Sequence, residues 1–225
     1  MSRCSVLTLL TALCTTAGAD TINWGSEFGS VNLQSDGTTP VTSGFTIQLG
    51  KFNTGFIPDP GNVELWEDNW VVFDELLPGD HNADFGYYTS EKQLMDNGVF
   101  LGGDQAYVWM FNSQDVVPGS EWLLYTNDGS DGTGGDDWTF PVVPGSQQTQ
   151  PLSWRVSNAT RAIFGGIDPD GGDPGDPQQG GGYGTVPTRV FGVQTHTFVP
   201  EPGTAALGAL GFCVLTGMRR RRSVS

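Results

Sequence analysis

The chain is poor in positive charge, in histidine and in usable cysteine, and each shortage removes a class of function. Ten Lys and Arg stand against 25 Asp and Glu, so the 225 residues carry a net charge of −15. Such a balance repels phosphate backbones and anionic membrane surfaces, which argues against nucleic acid as a partner. Charged residues make up only 16% of the chain, which excludes long salt-bridged helices. The three cysteines are Cys4, Cys14 and Cys213, all near the two ends, so the interior holds no disulfide, thiolate nucleophile or cysteine metal site. There are two histidines, His81 and His196, and neither stands in a G-x-S-x-G or H-E-x-x-H setting. What the chain has in plenty is glycine (33), proline (14) and aromatic residues (11%), the composition of a turn-rich folded body.

The N-terminus reads as an address. Met1 to Arg3 form a basic start, Ser5 to Cys14 an apolar run, and Ala17-Gly18-Ala19 an A-x-A site. This is the order of a secretory signal peptide, removed by signal peptidase, with the cut expected after Ala19. At the other end Val199-Pro200-Glu201-Pro202 precedes an uncharged apolar run, Gly203 to Met218, and then Arg219, Arg220, Arg221 and Arg222. Sixteen residues at 1.5 Å rise make about 24 Å of helix, shorter than the ~30 Å hydrocarbon core. A single transmembrane helix is expected here, marginal in length, with the arginines held on the cytoplasmic side and the body outside.

This tail resembles the PEP-CTERM sorting signal of exported bacterial proteins, which joins a V-P-E-P box, a short apolar helix and an arginine cluster. The resemblance covers about the last 25 residues. It implies an exosortase-like membrane protease acting at the Pro-Glu-Pro box, and a bacterium that makes an extracellular polysaccharide matrix. The stretch from Phe45 through Trp70 is also similar to the opening of β-rich bodies found ahead of such tails. The implied organisation is a signal peptide over 1–19, an exported domain over 20–198 and the sorting signal over 199–222. The protein would be anchored in the membrane before processing and lie at the cell surface or outside the cell afterwards.

The exported body carries five bases (Lys51, Lys92, Arg155, Arg161 and Arg189) against 24 acids, a net charge of −19. Short runs bounded by Gly, Pro, Asn or Asp predict strands at Phe45–Leu49, Ala106–Phe111, Glu121–Thr126, Trp138–Val143, Leu152–Val156, Ala162–Phe164 and Thr188–Val199. With no alternation of strand and helix, the fold expected is mainly β: an antiparallel sandwich or barrel-like domain with one or two short helices. The first helix is expected after Asp59-Pro60, with Val63, Trp66, Trp70 and Phe73 on one face; Ser90 and Gln93 suggest a cap for a second. Gly165 to Gly184, with nine glycines, reads as a mobile insertion before the last strand.

Three functional readings follow. Two acidic loops, Asn127 to Asp137 and Asp168 to Asp176, are Ca²⁺ candidates. They lack the EF-hand pattern, and a solvated acidic turn is the favoured reading. Seven tryptophans suggest sugar stacking, against a plain core role for most of them; Trp24 and Trp138, beside polar residues, are the exceptions. Asn158-Ala159-Thr160 matches a glycosylation sequon that carries little weight in a bacterium. With no catalytic or cofactor residues to nominate, the expectation is a non-enzymatic protein with a structural role at the cell surface or in the matrix. The alternatives are an exopolysaccharide-binding module and a secreted hydrolase.

Overall fold

A computed structural model describes residues 20–27, 30–80, 86–95, 98–130, 132, 137–142, 151–168 and 192–198. The described part is mainly β, with predominantly antiparallel sheets and one short α-helix. The strands are β1 (Thr21–Gly25), β2 (Val31–Leu33), β3 (Thr46–Phe52), β4 (Trp70–Leu76), β5 (Thr89–Gln93), β6 (Tyr107–Phe111), β7 (Glu121–Thr126), β8 (Leu152–Arg155), β9 (Arg161–Phe164), β10 (Gly166–Asp168), β11 (Gly192–Gln194) and β12 (His196–Thr197). Six of them form the main sheet in the order β12-β7-β6-β3-β4, with β9 also paired to β7. Two three-stranded sheets, β5-β1-β8 and β10-β11-β2, complete the described strands. In each of these one pair is parallel, β1 with β8 and β11 with β2, within an otherwise antiparallel arrangement.

The main sheet is apolar on both faces because its central strands alternate two apolar sets. In β6, Val108 and Met110 join one buried cluster while Trp109 and Phe111 join another; in β7, Leu123 and Tyr125 part in the same way from Trp122 and Leu124. The first cluster takes Ile22 and Trp24 of β1, Trp154 of β8 and Val193 of β11, so both smaller sheets pack on that face. The second is a mostly aromatic layer roofed by Val63 and Trp66. Doubly buried strands read as continuous apolar runs, and that is how β6 and β7 read in the sequence.

Polar side chains tie the sheets together. Asp74 of β4, buried, accepts hydrogen bonds from Trp24 Nε1 (2.8 Å) and Ser90 Oγ (2.6 Å), linking the main sheet to β1 and β5. Glu121 of β7 accepts from Ser35 Oγ (2.8 Å), the Ser35 backbone N–H (3.0 Å) and Thr195 Oγ1 (2.7 Å). Gly25, at φ +126°, ends β1 where a Cβ would lie 2.3 Å from the Tyr88 carbonyl oxygen; only glycine fits that approach.

Four expectations are corrected here. The helix after Asp59-Pro60 forms, capped by the Asp59 side chain, but as a 3-10 turn (Pro60–Leu65) followed by α1 (Trp66–Asn69). Trp70 and Phe73 belong to β4, because the aromatic and β-branched run Trp70-Val71-Val72-Phe73 finds a pairing edge on β3. No helix forms at Ser90 and Gln93. These residues make β5, paired to β1, and the Ser90 hydroxyl serves Asp74 instead of a helix end. Of the strand expected at Trp138–Val143, the described residues form a single bridge, Gln105 to Thr139, since Pro141 cannot donate to a ladder; Val143 lies outside the described residues. Within the Gly165–Gly184 stretch expected to be a mobile insertion, Gly166–Asp168 is strand β10, whose antiparallel partner β11 brings Asp168 opposite Gly192; the rest of that stretch after Asp168 lies outside the described residues.

Candidate functional site

Most residues nominated from the sequence fall outside the described part: Ala17, Ala19, Val199, Pro200, Glu201, Pro202, the arginines 219–222, His81 and nearly all of the Asp168–Asp176 loop. Among the described residues no helix is long and apolar enough to cross a membrane, and no group of three His, Cys, Asp or Glu is placed to hold a metal ion. In the Asn127–Asp137 loop, the described acceptors serve the protein itself. Asp128 accepts from Thr160 Oγ1 (2.9 Å), the Ser130 N–H (3.2 Å) and Arg161 (3.5 Å), and Asn127 Oδ1 accepts from the Gly129 N–H (2.9 Å). Burial opposes the charge on Asp128, yet these bonds together hold its carboxyl below the usual range.

The two tryptophans singled out for sugar stacking are core residues. Trp24 is 0% and Trp138 1% exposed. Trp138 stacks on Trp154 and meets Tyr125 edge-on, with ring centroids at 6.3 and 5.7 Å. The polar sequence neighbours of Trp24 mislead because a strand places neighbouring side chains on opposite faces. Asn158 and Thr160 of the sequon are half-buried around a buried Ala159.

The aromatic surface instead lies on the other face of the main sheet. Phe52, at the end of β3 and nearly buried, is a hub with Phe56, Trp70 and Tyr107 around it at centroid distances of 5.2, 5.0 and 5.4 Å. Each of these three outer rings is only half-buried. Trp70 is held on two sides. Its benzo ring occupies the space of a side chain at Gly50, where a Cβ would lie 2.7 Å from Cζ2, and β3 carries a bulge between Leu49 and Gly50. Its Nε1 donates to Gln48 Oε1 (2.7 Å), and Gln48 Nε2 donates to Glu75 Oε1 (2.6 Å). Glu75 is exposed at the rim, and Glu67 and Asp68 are exposed on the α1 turn that leads into Trp70. Burial raises the Tyr107 hydroxyl above its ordinary pKa, so it stays a neutral hydrogen-bonding group at physiological pH. No single residue of this shelf announces itself in the sequence; the usable signal is Gly50 inside the strand pattern Gln48-Leu49-Gly50-Lys51-Phe52, which marks a close approach by another group.

Two further titratable groups set an acid limit. Burial lowers the pKa of the half-buried His196 below its ordinary 6.5. Hydrogen bonds from the Thr39 side chain and from the Thr39 and Thr38 backbone lower Asp36 from 3.8 to about 2. Both shifts act in one direction. The fold favours neutral His196, so stability falls as pH drops below 6.5 and the unfolded chain takes the proton first. The contribution of ionised Asp36 is present above pH 3.8 and is lost on the way down to about 2. Melting temperatures recorded from pH 7.5 to 2 should therefore decline in two stages, and His196→Gln should flatten the first. Comparison of the chain with protein-family models, with curated proteins and with solved structures finds no match.

Proposed function

We propose that this is a non-enzymatic exported protein, a β-sandwich body delivered by its tail to the cell surface or extracellular polysaccharide matrix, where it has a structural role. The observation that carries the reading is the order of segments in the sequence: signal peptide, acidic body, V-P-E-P box, apolar run, four arginines. The packing at both ends of the body supports it. The Asp20 carbonyl accepts from the Leu94 N–H (2.7 Å); the Phe198 N–H donates to the Ser120 carbonyl (2.6 Å), and the Phe198 ring packs on Trp122 at 6.0 Å. Asp20 and Phe198, the two end residues of the expected body, are thus both bonded into the fold. A structural role is further supported by where the carboxylates go. Asp74 and Glu121 join sheets, Glu27 joins Ser30 to Ser157, and Asp104 pairs with the buried Lys51 at 2.5 Å.

The test is the mass of the mature protein recovered from the producing bacterium. It should begin at Asp20 and end at or beside the Pro-Glu-Pro box. An intact chain found in the cytosol with residues 1–19 attached would overturn the reading.

A further inference from the structure

In the shelf of Phe56, Trp70 and Tyr107, the Trp70 ring is held in place by features that contribute nothing to covering it. Gly50 makes room for Trp70, Gln48 fixes its N–H, and Glu75 in turn fixes Gln48. We propose that this shelf is a binding surface for a neutral polysaccharide. The proposal rests on the export reading, which places the body among such polymers.

The chemistry of the shelf matches that of a sugar ring. A pyranose presents a patch of C–H groups on one face and hydroxyls around its edge. It therefore needs a flat apolar surface with hydrogen-bonding groups at the margin. The shelf has both. Glu75 Oε2 and the Tyr107 hydroxyl have no hydrogen-bond partner among the described residues, so an acceptor and a neutral donor flank the rings. Charge selects among polymers: Glu67, Asp68 and Glu75 stand at the margin, Arg161 near the Tyr107 hydroxyl is paired with Asp128 at 3.5 Å, and a body of net charge −19 repels an anionic chain. Area selects against a protein partner. Three half-covered rings offer roughly 300 Å², well short of the about 800 Å² per side that a stable protein interface buries.

The test is affinity electrophoresis of the full chain in mild detergent, through gels containing hydroxyethyl cellulose, soluble starch, dextran or alginate. Retardation is expected in at least one neutral polymer and none in alginate. Trp70→Ala should weaken it about tenfold, as expected for an anchor residue, and Glu75→Gln should weaken it less. Trp154→Phe, in the opposite core, should leave it unchanged. Gly50→Ala would set a Cβ 2.4 Å from the Val71 carbonyl oxygen and 2.7 Å from Trp70 Cζ2, so it shifts the edge of β4 together with the Trp70 ring and should weaken binding without removing an aromatic. Unfolding curves for each variant separate lost binding from lost fold. The proposal is overturned by free migration in all three neutral polymers, by equal retardation of the Trp70→Ala chain, or by retardation in alginate alone. Self-association that disappears in Trp70→Ala would overturn it in favour of a second copy. The export reading fails on a different measurement, the masses of the mature ends, so the two failures are distinguishable.

Discussion

Replacing Trp24 by alanine is expected to lower the unfolding free energy by about 3–5 kcal/mol, a large share of the 5–15 kcal/mol available to an ordinary domain. The indole is fully buried, lies 5.7 Å from the Tyr88 ring and donates its N–H to Asp74 at 2.8 Å. Alanine removes the ring from between β1 and the main sheet, and it also takes one donor from a buried carboxylate. Asp74 keeps Ser90 and the more distant Lys92 at 3.4 Å, but the group that joined it to β1 is gone. Trp24→Phe separates the two effects. It retains most of the buried area and costs mainly the missing hydrogen bond, about 1–3 kcal/mol. Urea unfolding followed by circular dichroism checks both variants. A loss below about 1 kcal/mol for the alanine variant would mean that Trp24 is exposed, and would restore it as a sugar-stacking candidate.

Legibility from sequence followed how locally each element is determined. β7 matches its predicted span at both ends, and β3, β6, β8 and β9 were found with shifted ends, because buried strands announce themselves by apolar runs. β1 and β2 fall where no strand is expected, and β4, β5 and β10 where a helix or a mobile insertion is. Thr89-Ser90-Glu91-Lys92-Gln93 has no apolar residue at all; it is a strand only because β1 offers it a ladder. Trp70 illustrates the same conflict from the helix side. Its spacing from Val63 and Trp66 fits one helical face, yet the helix stops at Asn69 and Trp70 opens a strand that pairs with Phe52. The shelf was illegible for a related reason. Phe56, Trp70 and Tyr107 come from three segments and meet only through the β3 pairings, so no window of sequence contains them together. Trp24 was legible in principle, since Ile22-Asn23-Trp24 alternates with period two and both apolar members are buried.

Trp66→Ala should produce a loss of similar size, about 3–5 kcal/mol, by a different route. Trp66 sits on a four-residue helix, far too short to hold itself together in water. Its position is set by the capped turn before it and by the rings beneath it. Asn62 Oδ1 accepts from both the Asp59 N–H (2.9 Å) and Trp66 Nε1 (2.8 Å), so the side chain that closes the cap also fixes the indole. The ring stacks on Trp122 at 5.8 Å and meets Trp109, Phe52 and Phe164 edge-on at 6.0, 6.1 and 6.3 Å. Removing it takes away the largest fully buried side chain of the roof over the second core, leaving Trp109 and Trp122 facing water. Intrinsic fluorescence of the folded variant should shift to the red as those indoles are wetted, a change that Trp24→Ala, acting on the other face of the main sheet, should not cause. A smaller ring, as in Trp66→Phe, should recover part of the stability and keep the emission closer to that of the parent. If Trp66→Ala left both stability and emission unchanged, the short helix would not be the cover of this layer.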